Sequence, residues 1–205
     1  ELYGYQNASC GYVPAHAPRG ECVVVGVEKL MTIFETERLS VRQLEQKDKE
    51  YFFELLSAPE IIEPIPQPRW SDEVIKKQFE EFSSYSDEIL SRKTMAWGVF
   101  EKGKDELIGL CALLTNDEDD REVGYRFRKK YWGKGYGKEV TAGMLKFCFE
   151  ELDIQLMTAD VNITNTASVK ILECFFNPVR EFFNEQDNCT DRRYSITKEE
   201  WKTRQ

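Results

Sequence analysis

The chain has 205 residues, a formal net charge of −9 at pH 7, and 41% hydrophobic and 13% aromatic residues. That is enough apolar material for one well-buried domain, and no apolar run approaches the length of a membrane span. The acidic balance argues against general nucleic-acid binding, which needs a basic surface; it suits simple solubility or a cationic partner.

Residues 1–30 read differently from the rest. They hold Ala15-His16-Ala17-Pro18-Arg19-Gly20 and a β-prone Cys22-Val23-Val24-Val25, without the ordered regions of a signal peptide. Glu1 is not an initiator, whereas Met31-Thr32-Ile33-Phe34-Glu35 looks like a natural start. We therefore expect an N-terminal extension over residues 1–30, not native to the domain, and one domain over residues 31–205; a genuine extra strand is the alternative. His16 is the single histidine, so a histidine-based metal or triad site is not expected. Cys10, Cys22, Cys111, Cys148, Cys174 and Cys189 contain no Cys-x-x-Cys pair, so no metal site is expected either. Cys111 and Cys148 sit in apolar runs and read as buried small hydrophobes. A reduced, cytoplasmic setting is the economical reading.

Apolar and polar residues alternate over residues 39–44, as in a half-buried strand. Tyr51, Phe52, Leu55 and Leu56 give residues 47–56 a helical spacing. Residues 60–69, with Pro64, Pro66 and Pro68 and with Pro59 just before, read as a loop or a broken turn. Ser71 is placed to N-cap the next helix, which Val74, Ile75, Gln78, Phe79 and Phe82 continue. Residues 95–101 and 107–114 form a strand pair joined through Lys102-Gly103-Lys104-Asp105. A turn over residues 116–121 leads to a strand over 122–128. Val140, Met144, Leu145, Phe147 and Cys148 supply the apolar face of a main helix over residues 136–152. A strand over 156–161, a helix over 165–174 and strands over 179–183 and 191–196 follow. Mixed strands with interspersed helices define an α/β or α+β sheet domain.

The most informative stretch is residues 124–141. A strand enters a basic turn in which Gly133, Gly135 and Gly137 alternate with Lys134 and Tyr136, and a helix leaves it. Glycines let the backbone turn tightly and aim its N–H groups at one point. The helix adds free amides and the positive end of its dipole. Such a turn holds an anion, most often a phosphate or pyrophosphate. The spacing fails the P-loop, which needs four residues between its first Gly and Gly-Lys-Ser/Thr; Gly133 and Gly137 have three residues between them, and Glu139 follows Lys138. It fails the dinucleotide pattern Gly-x-Gly-x-x-Gly as well. A nucleotide-dependent phosphotransferase is disfavoured accordingly.

Trp132-Gly133-Lys134-Gly135-Tyr136-Gly137 resembles the Arg/Gln-x-x-Gly-x-Gly/Ala turn of the GNAT superfamily of acetyl-CoA-dependent N-acetyltransferases, with Trp132 in place of Arg or Gln. That replacement is similar to the RimJ/RimL-type branch. Thr36-Glu37-Arg38-Leu39-Ser40-Val41-Arg42, Glu122-Val123-Gly124-Tyr125, Asn165-Thr166-Ala167-Ser168 and the closing segment from Arg193 to Trp201 resemble other parts of that branch, in the same order. The resemblance covers residues 31–201. One departure is Cys174-Phe175-Phe176-Asn177-Pro178, where the family has Gly-Phe; the turn there is expected to use Asn177 and Pro178.

The resemblance implies a single domain with a mixed, mostly antiparallel central sheet flanked by helices, and a splayed strand pair that admits acetyl-CoA. It implies direct transfer of the acetyl group to a primary amine in a ternary complex, with no metal. The acceptor would be a protein N-terminus or a small amine, and the protein a monomer or homodimer. A non-catalytic acyl-CoA-binding regulatory module is the alternative, since it would keep the glycine turn but need no base. Trp132, Gly133, Lys134, Gly135, Tyr136, Gly137 and Lys138 would hold the pyrophosphate. The backbone of Phe127 and Arg128 would hold the pantetheine arm, and one or two of Arg126, Arg128, Lys129 and Lys130 would offer counter-charges, the rest being solvated. Asn165 and Ser168, one helical turn apart, would lie beside pantetheine and thiol; N-capping by Asn165 is the other reading of that pair. The tyrosine that many members carry further along this helix corresponds to Leu172 here, so Ser168, a water or unassisted departure of the thiolate would take the place of that acid. Glu122 is the expected general base; its alternative is a surface glutamate beside the acidic run Asp117-Glu118-Asp119-Asp120. That run could attract a cationic amine or form a solvated hairpin turn. Residues 64–70, including Trp70, are expected to wall the acceptor side.

Overall fold

Met95–Glu101 (β3) alternates two sets of buried side chains, and the two sets enter different cores. Met95, Trp97 and Val99 pack on one face of the sheet, and Ala96 and Phe100 on the other. A strand buried on both faces must be covered on both faces, and helices cover it here. The structure, a computed structural model, describes residues 32–63, 69–84, 92–185 and 187–204. The expected N-terminal extension and most of the proline-rich stretch, residues 64–68, lie outside the described residues.

The other strands are Thr32–Glu35 (β1), Leu39–Arg42 (β2), Leu107–Thr115 (β4), Arg121–Phe127 (β5), Leu156–Asn162 (β6), Asn177–Asn184 (β7) and Cys189–Thr197 (β8). They form one eight-stranded sheet in the order β1-β2-β3-β4-β5-β6-β8-β7. The β5–β6 pair is parallel and the other described pairs are antiparallel. The sheet is thus mixed and mostly antiparallel, as expected.

One face carries Lys49–Ser57 (α1), Pro59–Ile62 (α2) and Asp72–Ser83 (α3). Their apolar stripes bring Phe52, Leu55, Ile75, Phe79 and Phe82 onto Phe100 and Leu110. Ser71 caps α3 by accepting the Val74 amide at 3.4 Å. The stretch read as a loop from residue 60 begins instead inside α2, because Pro59 sits at its first turn, where a missing N–H costs nothing. The opposite face carries Tyr136–Lys146 (α4), Thr166–Leu172 (α5) and Lys198–Thr203 (α6). Here α4 loosens into a π-helical turn, Phe147–Glu151, closed by the Leu152 amide on the Phe147 carbonyl at 3.2 Å.

The departure after α5 is resolved differently from the expectation. The helix is closed by the amides of Phe175 and Phe176, both donating to the Leu172 carbonyl at 2.9 and 2.8 Å. Asn177 and Pro178 are already in β7. Asn177 there binds Glu200 at 2.8 Å and accepts from Arg204 at 2.8 Å, which docks α6. Cys111 and Cys148 are buried, as read.

Candidate active site

The parallel strands β5 and β6 pair only at Arg121↔Met157 and Glu122↔Thr158. Beyond those residues they diverge, and the gap opens between Gly124–Phe127 on one side and Ala159–Asn162 on the other. Ser168 on α5 stands over this gap, and a cavity of about 720 Å³ runs from it to the aromatic side chains of Phe52, Trp70 and Phe82 beneath α1 and α3. Trp70 thus lies on the cavity wall.

Which backbone groups face the gap follows from the β4–β5 ladder. The Arg128 amide donates to the Ile108 carbonyl at 3.0 Å, and Gly109↔Phe127 and Leu110↔Arg126 continue the register. Backbone groups alternate sides along a strand, so the N–H groups of Tyr125 and Phe127 point toward the gap. The Phe127 carbonyl already accepts the Trp132 indole N–H at 2.7 Å. Phe127 therefore offers its amide to a bound chain, and Arg128 does not.

At the end of β5 the chain enters the glycine turn. Gly133 and Gly135 have φ of +73° and +80°, the left-handed region that side chains disfavour. Gly135 is the N-cap of α4 and brings no side chain to its first amides, which remain open to an anion. Gly137 serves another purpose. A Cβ there would stand 2.9 Å from Ile171 Cδ1 and 3.3 Å from the Tyr125 ring, so it permits close packing of α4 on β5 and α5. Tyr136 is buried, and its hydroxyl binds Glu101. Its side chain anchors the turn, leaving only its amide for a ligand. Lys134 lies over the Tyr131 ring at 4.8 Å and Lys138 is 6.0 Å from the Phe175 ring. Trp132 is exposed.

The turn is braced from far away in the chain. Arg38 donates to the Lys134 carbonyl at 3.1 Å and pairs with Glu139 at 2.6 Å. Glu139 also accepts from Thr36 and from the Arg38 amide. The sequence pattern placed Arg38 only in an N-terminal strand motif, and nothing local signals this long-range brace.

The expected counter-charges are mostly engaged elsewhere. Arg128 is buried against Glu54 and Glu106, at 2.9 and 2.6 Å, with its guanidinium over the Tyr51 ring. Lys130 binds Glu106 at 2.5 Å. Together these cations hold the Glu106 carboxyl down to about 2. Arg126 reaches toward the Leu55 carbonyl under α1, on the cavity side of the sheet. The Arg128 amide is thus committed to the β4 ladder and its guanidinium to a network that ties β4, β5 and α1 together. Lys129 is exposed at the surface.

Glu122 stands at the point where the strands separate. Burial pushes its carboxyl up to about 8, Asp160 adds like-charge repulsion, and Arg193 opposes both. Arg193 is itself buried and grips Asp160 at 2.7 Å and Asp117 at 2.5 Å. The acidic run is therefore neither a free cation trap nor a fully solvated turn: Asp117 is paired to Arg193, and Glu118 to Arg180 at 2.5 Å. Asn165 caps α5, its side-chain oxygen accepting the Ser168 amide at 3.2 Å. The Ser168 hydroxyl is left over the gap, facing Tyr125. Leu172 is buried in the core. Among the described residues, no cluster of three metal-ligating side chains occurs, and no helix is long and apolar enough to cross a membrane.

The profile of the acetyltransferase (GNAT) domain matches residues 38–174, and the chain belongs to that family of acetyltransferases. An uncharacterized N-acetyltransferase p20 from Bacillus licheniformis is 27% identical over 139 residues, covering 67% of this chain and 77% of that protein. An FsC-acetyl coenzyme A-N(2)-transacetylase from Aspergillus fumigatus is 28% identical over 191 residues, covering 84% and 79%. The fold matches a Bacillus anthracis GNAT-family acetyltransferase with a TM-score of 0.67 at 24% identity, covering 80% of this chain and 98% of that one. It also matches a spermidine N-acetyltransferase from Vibrio cholerae, solved with CoA and spermine, with a TM-score of 0.65 at 19% identity and the same coverage.

Proposed function

We propose that this acetyltransferase moves the acetyl group of acetyl-CoA onto a primary amine by direct attack in a ternary complex. The observation that carries the reading is the position of Glu122. A carboxyl raised to about 8 stands where β5 and β6 part, in the lining of the cavity that reaches under α1 and α3. The left-handed Gly133 and Gly135 and the uncapped start of α4 suit the pyrophosphate. The gap-facing amides of Tyr125 and Phe127 suit the pantetheine arm and thioester oxygen. Binding at the remote pyrophosphate orients the thioester at the gap. Glu122 takes the proton as the amine attacks, directly or through one water. Ser168 lies beside the departing sulfur.

The acceptor enters from the cavity side. Aromatic walls from Phe52, Trp70 and Phe82 suit an amine with an apolar stem, and Glu122 lines the same cavity to take its proton. The spermidine acceptor named for one structural neighbour and the N(2) position named for one relative support small amines as the first panel. The Trp132 turn and the Glu-Val-Gly-Tyr strand favour the RimJ/RimL-like branch, which adds protein N-termini to it.

The test is acetyl-CoA binding by calorimetry, followed in the same sample by CoA release with a panel of polyamines, amino acids and N-terminal peptides. Binding with amine-dependent release is expected. Tight binding with no release for any acceptor supports a regulatory acyl-CoA-binding module instead. Absence of binding removes the anion-turn reading altogether.

A further inference from the structure

The Tyr125 hydroxyl is buried and has no hydrogen-bond partner among the described residues. Buried polar atoms in native proteins are nearly always paired, and an unpaired one calls for an explanation. The ring is clamped where three elements meet. It belongs to β5, it lies 3.3 Å from the Cβ position of Gly137 at the start of α4, and Ile171 of α5 closes on the same glycine. The hydroxyl faces that of Ser168, without a hydrogen bond closing between them. Both residues line the cavity at the mouth of the gap. Leu172, further along α5, has no proton to give.

We propose that Tyr125, acting through Ser168, supplies the proton taken up by the departing CoA thiolate. The proposal rests on the acetyl-CoA reading above. When the tetrahedral adduct collapses, its C–S bond breaks and the electron pair goes to sulfur. Sulfur takes the Ser168 hydroxyl proton, and the Ser168 oxygen takes the Tyr125 proton. Solvent reprotonates the phenolate after product leaves. The proton released by the attacking amine is on Glu122, so amine and thioester become amide and thiol with no change of oxidation state.

A serine alone is a poor donor here, because an alkoxide is a far stronger base than a thiolate. A phenol, with an ordinary pKa of about 10, lies much nearer a thiol's value of about 8.5. Serine need not ionise when it receives one proton as it gives another. Burial disfavours the phenolate, and the Ser168 contact partly offsets this, so Tyr125 waits protonated. Its missing hydrogen bond is the one completed when Ser168 turns toward the sulfur. Tyr125 is thus a positioning and proton-supplying residue behind Ser168.

The experiment reads the thiol of bound CoA, not turnover. CoA is bound to the wild type and to Tyr125→Phe, Ser168→Ala and Ser168→Thr, and thiolate absorbance is followed across pH. A donor chain aimed at sulfur stabilises the thiolate, so the bound thiol pKa is expected to rise by about one unit in Tyr125→Phe and Ser168→Ala. Ser168→Thr, which keeps the hydroxyl, is expected to restore the wild-type value. At pH values below the wild-type bound thiol pKa, CoA affinity should stay within about threefold, since neither hydroxyl holds the pyrophosphate. CoA bound with the same thiol pKa in wild type and Tyr125→Phe overturns the relay and leaves the CoA site standing. Should Tyr125→Phe fail to fold, an unchanged thiol pKa in Ser168→Ala overturns it equally. A wild type that does not bind CoA overturns both readings.

Discussion

Replacing Glu122 by Gln should separate stability from catalysis. Burial, reinforced by Asp160, raises the Glu122 carboxyl from 4.5 to about 8. Below the unfolded value both states hold the proton, and the substitution changes little. As pH rises from 4.5 toward 8, the unfolded chain ionises while the folded carboxyl keeps its proton, so the native state loses stability over that window. Above it the loss is complete. Each unit of displacement corresponds to about 1.4 kcal/mol, which sets a ceiling near 5 kcal/mol. Because Glu122 is half-buried and open to the cavity, screening reduces this, and about 2 kcal/mol is expected. Gln is neutral at every pH and escapes the penalty. Urea denaturation of both proteins at about pH 4.5 and about pH 8.5 should show Glu122→Gln near parity at the lower pH and more stable by that amount at the higher, with unchanged m. The same variant should lose roughly 10²–10⁴ in kcat and the rising limb of the rate profile near pH 8. A stability advantage equal at both pH values, or a rate limb that survives, would refute the placement of a strained carboxylate at the reacting centre.

Other perturbations probe the neighbouring parts. Gly135→Ala forces a side chain into φ of +80°, which costs about 1–2 kcal/mol and disturbs the open amides of α4; calorimetry should show CoA affinity down at least tenfold. Arg38→Ala removes the brace on the Lys134 carbonyl and leaves Glu139 uncompensated beside the turn; CoA affinity should fall several-fold, with a larger loss at low salt, where the exposed carboxylate repels phosphate most. Arg193→Gln takes away the charge that opposes the rise of Glu122 and leaves Asp160 and Asp117 without their cation. The kcat limb should move to higher pH, and a limb that stays in place in a folded variant contradicts the coupling.

Phe127 and Arg128 show where reading the chain succeeds and where it stops. The pattern of residues 122–128 marks a strand, and adjacent positions on a strand expose their backbone groups to opposite sides. Only the pairing of β5 with β4 decides which position faces the gap. That register gives the gap to Phe127 and commits the Arg128 amide to Ile108. The Arg128 charge was equally unreadable, since its partners Glu54 and Glu106 lie 74 and 22 residues away in the chain. The Asn177-Pro178 pair misled for the opposite reason: its turn chemistry is genuine, but the Leu172 carbonyl had already closed the helix two residues earlier.

The amino-acid sequence by itself determined the glycine turn, the Ser71 and Asn165 caps and the strand pair over residues 95–101 and 107–114. Each of these depends on residues within one or two turns of one another, where backbone sterics and local hydrogen bonds dominate. Tertiary structure alone decided that β5 and β6 part after two residue pairs, that Glu122 is desolvated beside Asp160 and Arg193, that Arg38 braces the glycine turn, and that the hydroxyl of Tyr125 faces that of Ser168. Those properties are differences in solvation and in distance between segments far apart in the chain. Desolvation and ion pairing act through space, so they came into being only when the sheet and its two helical layers closed around the gap.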